Sequence, residues 1–239
     1  MPAGFQSFLD NGLIQIDGDY DQYNLVKSGY LTNASFTGNV GGSGMFANPF
    51  AQIVAPYEDA IIAIRSTTAA SRVAVWRTNG PSQINIHKWW NLTTGTIEYY
   101  VFTRYRPAGS NFGFQTFNAA GQLTFDANWP LMKIVDVVSI APGQYPTVGA
   151  DSFKAYNFSN PTNAKIAACL AVPAIGCISG GGANQLLSTC AWMSGTSTVT
   201  VSFVRTLYDD TGPSQSGWFN ETNNFIIMLD VTSLPIPFN

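Results

Sequence analysis

One segment of the chain occurs twice. Residues 4–20 recur as residues 113–129, which lie 109 positions later, and six of the seventeen aligned pairs are identical. Six further pairs are close substitutions, such as Ser7 and Thr116. The offset is far longer than the roughly 20–50 residues of a solenoid repeat. We therefore favour the duplication of a whole module over the repetition of this segment alone, which stays the alternative.

Each copy of the repeat has the pattern of a β-hairpin. In the first copy, alternating residues flank Asp10-Asn11-Gly12, a strong turn motif between two strand-like runs. In the second copy the turn is Asn118-Ala119-Ala120-Gly121, and Leu123 and Phe125 follow with the period of two that a strand requires. The recurring glycine suits a turn position with positive φ. The sequence predicts the same hairpin at both places.

Composition and periodicity favour an all-β fold. Charged residues make up only 10% of the chain, against about 25% in an average globular domain. Short strand-like runs recur about every ten residues between Gly, Pro, Asn and Ser. We predict two tandem related β-sandwich modules of jelly-roll or immunoglobulin-like type, with little or no helix. The first module spans residues 1–109, and the second spans residues 110–239 and has longer loops.

The sequence also predicts individual elements. The aromatic and β-branched run from Thr96 to Tyr105 is the strongest strand candidate. Residues 186–193 are the best place for a short helix, and the glycine-rich residues 180–184 are predicted as a flexible loop. Further strand candidates are residues 51–54, 60–65, 72–77, 83–87, 131–140, 164–172, 197–207 and 224–231.

Charge and hydropathy exclude several classes of protein. A net charge of −3 and a pI near 4.9 lack the basic footprint of a nucleic-acid-binding protein. No run reaches the roughly 18 apolar residues of a spanning helix. Met1 to Gly4 lead into the first hairpin without the charged and apolar regions of a secretory signal. We therefore expect a protein made in a cytoplasm that does not insert into a membrane.

No motif for catalysis, cofactor binding or metal binding is present. The single histidine, His87, lies on an alternating strand and is expected to face solvent, and no Gly-x-Ser-x-Gly elbow accompanies it. The repeated Asp17 and Asp126 are interpreted as turn formers rather than as catalytic carboxylates. Residues 17–28 lack the glycine and glutamate of a calcium-binding loop. We predict no catalytic residue, no cofactor and no metal ligand.

The three cysteines have no metal-binding spacing. Cys169, Cys177 and Cys190 are interpreted as small buried hydrophobic residues. A disulfide that joins Cys190 to Cys169 or to Cys177 after release into an oxidising medium is the alternative.

Aromatic residues near strand ends are the candidate binding residues. Exposed aromatic rings in a charge-poor protein stack on sugars or fill subunit interfaces. The candidate receptor or interface residues are Trp89, Trp90, Tyr105, Trp218 and Phe219.

The second hairpin carries a resemblance to a known family. Residues 113–126, Gly-Phe-Gln-Thr-Phe-Asn-Ala-Ala-Gly-Gln-Leu-Thr-Phe-Asp, followed by Trp129-Pro130-Leu131, resemble a segment of small tail proteins of tailed bacteriophages. Residues 1–17 are similar to the start of such proteins. Thr116 departs from the pattern because the family has an apolar residue there. The two matching places together cover about forty residues.

The resemblance implies a tail-tip, baseplate or fibre protein with β-sandwich modules and without catalysis. It implies a virion location after synthesis in the host bacterial cytoplasm. The expected partners are the chain itself in a symmetric oligomer such as a homotrimer, other tail proteins, and a host cell-surface glycan or protein. The alternatives are a tail-associated carbohydrate-active enzyme and a free glycan-binding module.

Overall fold

The described part of the chain is built almost entirely of antiparallel β-strands. A computed structural model describes residues 6–8, 14–17, 21–40, 48–55, 59–77, 83–88, 95–147, 152–171, 173–180, 183–209, 217–218 and 223–238 of the 239 residues. Two 3₁₀ turns, Asn33–Ser35 and Ala69–Ser71, accompany the strands. The prediction of an all-β sandwich fold is confirmed.

The strands are β1 (Gln6–Phe8), β2 (Ile14–Asp17), β3 (Asn24–Leu31), β4 (Gly38–Val40), β5 (Asn48–Val54), β6 (Ile61–Arg65), β7 (Val73–Arg77), β8 (Gln83–Lys88), β9 (Ile97–Thr103), β10 (Gln115–Phe117), β11 (Leu123–Asp126), β12 (Lys133–Ile140), β13 (Lys154–Asn157), β14 (Ile166–Leu170), β15 (Ile175–Gly180), β16 (Ala183–Met193), β17 (Thr198–Asp209), β18 (Gly217–Trp218) and β19 (Asn224–Asp230).

One six-stranded sheet, the joined sheet, runs through both halves of the chain in the order β12-β19-β14-β6-β9-β3. A sheet of order β4-β5-β8-β7 faces its first-half strands, and a sheet of order β13-β17-β16-β15-β18 faces its second-half strands. The halves meet where β6 pairs with β14, at Ile64 and Ala168. The predicted boundary at residues 109 and 110 falls after β9, and strands on both sides of it share this sheet.

The strand order is alike in the two halves. In the joined sheet, the last strand of each half lies between the first strand after the hairpin and an inner strand: β9 lies between β3 and β6, and β19 lies between β12 and β14. In the facing sheets, β5-β8-β7 has its counterpart in β13-β17-β16. The first half adds β4, and the second half adds β15 and β18. The topological parallel therefore extends beyond the repeated hairpin.

One of three large hydrophobic clusters holds the two halves together. One cluster lies inside the first sandwich and contains Ile64 and Val101, and a second lies inside the second sandwich and contains Met228. The third cluster lies on the opposite face of the joined sheet and draws Phe102 from β9 and Leu229 from β19. Because it takes side chains from both halves, this cluster ties them into one body.

Strand β9 shows why that sheet is apolar on both faces. Its side chains alternate, so Ile97, Tyr99 and Val101 pack in the first sandwich, while Tyr100 and Phe102 pack in the third cluster. A strand buried on both sides has a nearly continuous apolar sequence. This explains the strength of the strand pattern predicted over residues 96–105.

The end of the chain covers the third cluster. Leu234 is buried in it, and Ile236 and Phe238 pack against it. The backbone of Ser28 on β3 exchanges hydrogen bonds with Phe238, at 2.8 and 3.1 Å, and the Ser28 hydroxyl donates to the Pro235 carbonyl at 2.6 Å. The last residues thus shield both the outer face and the edge of the joined sheet.

Both predicted hairpins form, and they have the same register. Gln6 is opposite Asp17 in the first, just as Gln115 is opposite Asp126 in the second. The register shifts at the same place in each, between the second and third residues of the leading strand. Equivalent sequences therefore adopt equivalent backbone pairing, down to the bulge.

Two local predictions are wrong. Residues 186–193, the candidate helix, belong to β16, where they pair with β15 and β17. Of residues 180–184, predicted as a flexible loop, Gly180 ends β15 and Ala183 and Asn184 begin β16, with Gly180 opposite Ala183, while residues 181–182 lie outside the described residues. The cause is tertiary: a short apolar segment without clear periodicity becomes a strand when two neighbouring strands supply its backbone partners.

Candidate contact surface on the second hairpin

The structure does not assemble the predicted aromatic residues into one site. Trp89, Trp90 and Phe219 lie outside the described residues. Trp218 belongs to β18, where its backbone lies opposite Gly176, and its side chain is not described. Tyr105 is exposed over 45% of its surface, and its carbonyl accepts a hydrogen bond from the Asn24 side chain at 2.8 Å. Of the five, Tyr105 is therefore the one with a described exposed ring.

A second group of exposed aromatic rings follows Tyr105 in the sequence. These residues were not among the predicted binding residues. Residues 110–128, hereafter the arm, contain β10 and β11, which pair with each other as a separate two-stranded sheet. Phe112 is 77% exposed, and Phe114 and Phe117 are about half exposed. Large apolar side chains exposed this close together mark a contact surface more often than isolated ones do.

The interior of the arm is polar. Thr116 and Thr124 are buried and their hydroxyl oxygens lie 3.0 Å apart, while the Thr124 hydroxyl also contacts the Thr116 carbonyl at 3.2 Å. Phe125 is the exception, since it is buried and its ring lies 6.0 Å from that of Phe114. The pattern of polar inside and aromatic outside reverses the usual one. It shows that apolar burial alone does not hold the hairpin together.

A buried carboxylate at the base of the arm helps to hold the two strands of the hairpin together. One oxygen of Asp126 accepts hydrogen bonds from the Ser110 amide and hydroxyl, both at 2.7 Å, and from the Gln115 side chain at 2.8 Å. The other oxygen accepts from the Asn128 amide at 2.8 Å. An ionised acceptor makes stronger hydrogen bonds than a neutral one. Asp126 therefore closes the open end of the hairpin.

These contacts also fix the charge of Asp126. Burial by itself raises the pKa of this carboxyl, but the bonds from Asn128, Ser110 and Gln115 outweigh it and hold the pKa well below its usual range. A general acid for glycoside hydrolysis needs the opposite shift. The bond from the Asn128 amide is the local turn contact predicted for Asp126, and the bonds from Ser110 and Gln115 add a structural role that was not predicted.

The tip of the arm is equally ordered. The Asn118 side-chain oxygen accepts from the amides of Ala120, at 3.0 Å, and Gln122, at 2.9 Å. Gly121 has a φ of +75°, a conformation that L side chains rarely adopt. This turn matches the predicted turn over residues 118–121. It holds the exposed Phe117 ring on a defined backbone.

A buried tryptophan anchors the arm to the body. Trp129 is 7% exposed, and its indole N–H donates to the Ala108 carbonyl at 3.2 Å. Directly after Trp129 in the sequence, two backbone hydrogen bonds join the chain to the start of β3. The Leu25 amide donates to the Pro130 carbonyl, and the Met132 amide donates to the Tyr23 carbonyl. The arm is therefore fixed at its base against the edge of β3.

An ion pair ties the arm's turn to the preceding loop. The Arg106 guanidinium donates to Asp21 at 2.6 Å and to the Gln122 side chain at 3.2 Å. Because both partners of this ion pair are partly exposed, its contribution to stability is small, about 0–1 kcal/mol. Its effect is to orient the turn.

Further polar groups of the described residues take part in structural contacts. Asp59 binds the Thr103 hydroxyl at 2.6 Å and the Arg104 guanidinium at 2.9 Å. Across the described residues, His, Cys, Asp and Glu form no group of three that could hold a metal ion. Cys169 and Cys190 are buried free thiols, as expected for small hydrophobic residues, and burial raises the pKa of Cys190 to about 12.

The prediction that His87 faces solvent is wrong. His87 is only 2% exposed, and burial lowers the pKa of its imidazole to about 4. His87 lies opposite Ala74 on β7, and Ala74 packs with Cys190 and Trp192 of the second half. The outer face of this sheet is thus covered by the other sandwich. A pattern confined to one strand does not reveal that cover.

Helices with the length and apolar character to cross a membrane do not occur in the described ranges. Comparison with known proteins adds no relative: no family model, no curated protein and no solved structure matches the chain.

Proposed function

We propose that this chain is a structural protein of a bacteriophage tail, at its tip, baseplate or fibre, that acts without catalysis and contributes to host attachment. The observation that carries the contact role is the arm: a hairpin anchored at its base by Asp126 and Trp129 that presents Phe112 and Phe117 to solvent. Preorganised aromatic side chains lose little entropy on binding. The resemblance of the same hairpin to tail proteins supplies the setting.

The contacts that join the two halves of the body suit a component that carries mechanical load. The third hydrophobic cluster and the shared sheet join the halves, and Lys165 of the second half forms an ion pair with Glu98 of the first at 2.8 Å. Glu98 is also contacted by Arg65 at 3.4 Å and by the Tyr100 hydroxyl at 2.8 Å. In the proposed setting, the partners are further copies of this chain in a symmetric oligomer, other tail proteins, and a host glycan or protein.

The test is attachment of purified full-length protein, and of virions that contain it, to host cells. We expect Phe112→Ser and Phe117→Ser together to reduce attachment or assembly at least tenfold with folding unchanged. The matched control is Phe225→Ser, since Phe225 is 46% exposed on β19, outside the arm. Equal behaviour of the arm variant, the control and the unaltered chain in both assays would rule out the contact role of the arm.

Exposed phenyl rings also favour the second candidate, a free glycan-binding module. The state of assembly in solution distinguishes the two candidate functions. A glycan-binding module is monomeric in solution and binds a sugar by itself, and a tail component associates with its own copies or with other tail proteins. Sedimentation together with a glycan-binding screen distinguishes them, and release of reducing sugar from host polysaccharide would instead identify an enzyme.

A further inference from the structure

A buried lysine lies against an asparagine side chain and has no carboxylate partner among the described residues. Lys88 ends β8 and is 7% exposed, and its Nζ donates a hydrogen bond to Oδ1 of Asn33. No ion pair of Lys88 occurs within the described residues. An ammonium group held away from water with no opposite charge is unfavourable, and buried charges are normally paired.

The surroundings of Lys88 change the balance between its charged and neutral forms. Burial lowers the pKa of Lys88, which increases the share of molecules with a free lone pair on Nζ. The Phe36 ring centroid lies 5.3 Å from Nζ, and this cation–π contact stabilises the charged form and so offsets part of the shift. A neutral, desolvated amine is a nucleophile, as in enzymes that activate lysine by burial.

The contact also places the electrophile. Nζ contacts Oδ1 of Asn33, and Cγ, the carbon that the amine would attack, is bonded directly to Oδ1. Reactions between groups held in this way gain greatly from proximity, because the entropy of bringing them together is already lost on folding. The two residues come from separate elements, since Asn33 begins the 3₁₀ turn after β3.

We propose that Lys88 and Asn33 condense to an intramolecular isopeptide bond. Nζ of the neutral amine forms a bond to Cγ, the bond from Cγ to Nδ2 breaks, and Nδ2 leaves as ammonia with one proton taken from Nζ. The new amide nitrogen keeps the other proton, so the step needs no oxidant, reductant or added reactant. The described residues bring no carboxylate to this contact for proton transfer, and we therefore expect slow formation after folding.

The bond would close the chain across 55 positions between the joined sheet and the facing sheet of the first half. Such a link constrains the unfolded chain in the way that any long-loop crosslink does. This inference does not depend on the proposed function.

The experiment is intact-mass spectrometry of the full-length folded protein during prolonged incubation, followed by protease digestion. We expect a mass lower by one ammonia and a branched peptide that joins the segments containing Asn33 and Lys88. Lys88→Arg and Asn33→Ala should each keep the full mass, whereas the control Lys27→Arg should lose ammonia like the unaltered chain. A second control is the chain incubated in denaturant, which should not react.

Two results would overturn the proposal. One is an unchanged mass of the folded protein at the end of the incubation, which means that the contact is only a hydrogen bond. The other is a loss of ammonia that persists in Lys88→Arg, which places the reaction elsewhere. Circular dichroism of each variant is measured alongside, and only variants that fold enter the comparison.

Discussion

The body and the arm are stabilised in opposite ways. In the body, apolar side chains such as Phe102 are fully buried, and neighbouring strands satisfy the backbone. In the arm, the buried centre is the Thr116 and Thr124 hydroxyl pair with the Asp126 carboxylate, and Phe112 and Phe117 lie outside. A two-stranded hairpin is marginal alone in water. Polar anchoring can therefore leave aromatic rings exposed for contact without unfolding the element that bears them.

The largest effect is expected from the core shared by the two halves. Phe102→Ala should lower the free energy of unfolding by about 3–5 kcal/mol, because it leaves a cavity under both halves of the joined sheet. Denaturant unfolding of the whole chain measures this. If Phe112→Ala in the arm cost as much, the contrast between body and arm would be broken.

Acid should weaken the body before the arm. The folded pKa of His87, about 4, lies below its ordinary value of 6.5. The unfolded chain therefore binds more protons between these values, and stability falls as the pH drops through this window, by an amount on the order of 3 kcal/mol. Thermal unfolding across this pH range tests the effect, and His87→Gln should flatten the dependence.

Removal of the carboxylate should loosen the arm selectively. Asp126→Ala leaves the donors of Ser110, Gln115 and Asn128 without their acceptor, at a cost of about 1–3 kcal/mol. Hydrogen exchange should quicken in residues 110–128 while β9 stays protected. Faster exchange spread evenly over both regions would contradict a local role.

The same carboxylate gives the arm its own acid dependence. Because the folded pKa of Asp126 is depressed, its contribution is complete above the unfolded pKa of about 3.9 and is lost as the pH falls below it toward the folded pKa. Exchange in the arm, followed during acidification, should therefore respond at lower pH than the transition due to His87.

A smaller, matched test uses two glycines with the same φ of +75° and open space where a Cβ would lie, Gly121 in the arm and Gly143 in the body. Each change to alanine should cost about 1–2 kcal/mol, since an L side chain is strained in that conformation. We expect faster exchange around the arm turn for Gly121→Ala and a lower global stability for Gly143→Ala. Identical effects would mean that arm and body unfold as one unit.

The smallest effect on stability is expected at the most exposed ring. Phe112→Ser should change the free energy of unfolding by less than about 0.5 kcal/mol, as for other surface positions. The same variant should weaken attachment or assembly. A large loss of stability would show that this ring packs against the body rather than serving as a contact residue.

Local patterns predicted the hairpin well. Asn118 and Gly121 mark a turn by their own chemistry, and the alternation around them sets the pairing of Gln115 with Asp126. The strand over residues 96–105 was equally predictable, because aromatic and β-branched residues continue along its whole length. Such features depend on neighbours a few positions apart, which the sequence shows directly.

The proposed contact surface was only partly predictable. The sequence drew attention to Trp89 and Trp218, because tryptophan near a strand end is a familiar sign of binding. The exposed Phe112 and Phe117 belong instead to an element whose interior the small Thr116 and Thr124 fill. The polar Thr116, which departs from the tail-protein pattern, was the available indication that the phenyl rings lie outside.

Short-range alternation and turn chemistry were enough to predict the all-β class, the two hairpins and the turn contact of Asp126. The pairing of β6 with β14, the strand over residues 186–193 and the burial of His87 became visible in the folded chain alone. Each of these depends on contacts between residues far apart in the chain. Burial is a property of the assembled faces, and no single strand encodes which face another sheet will cover.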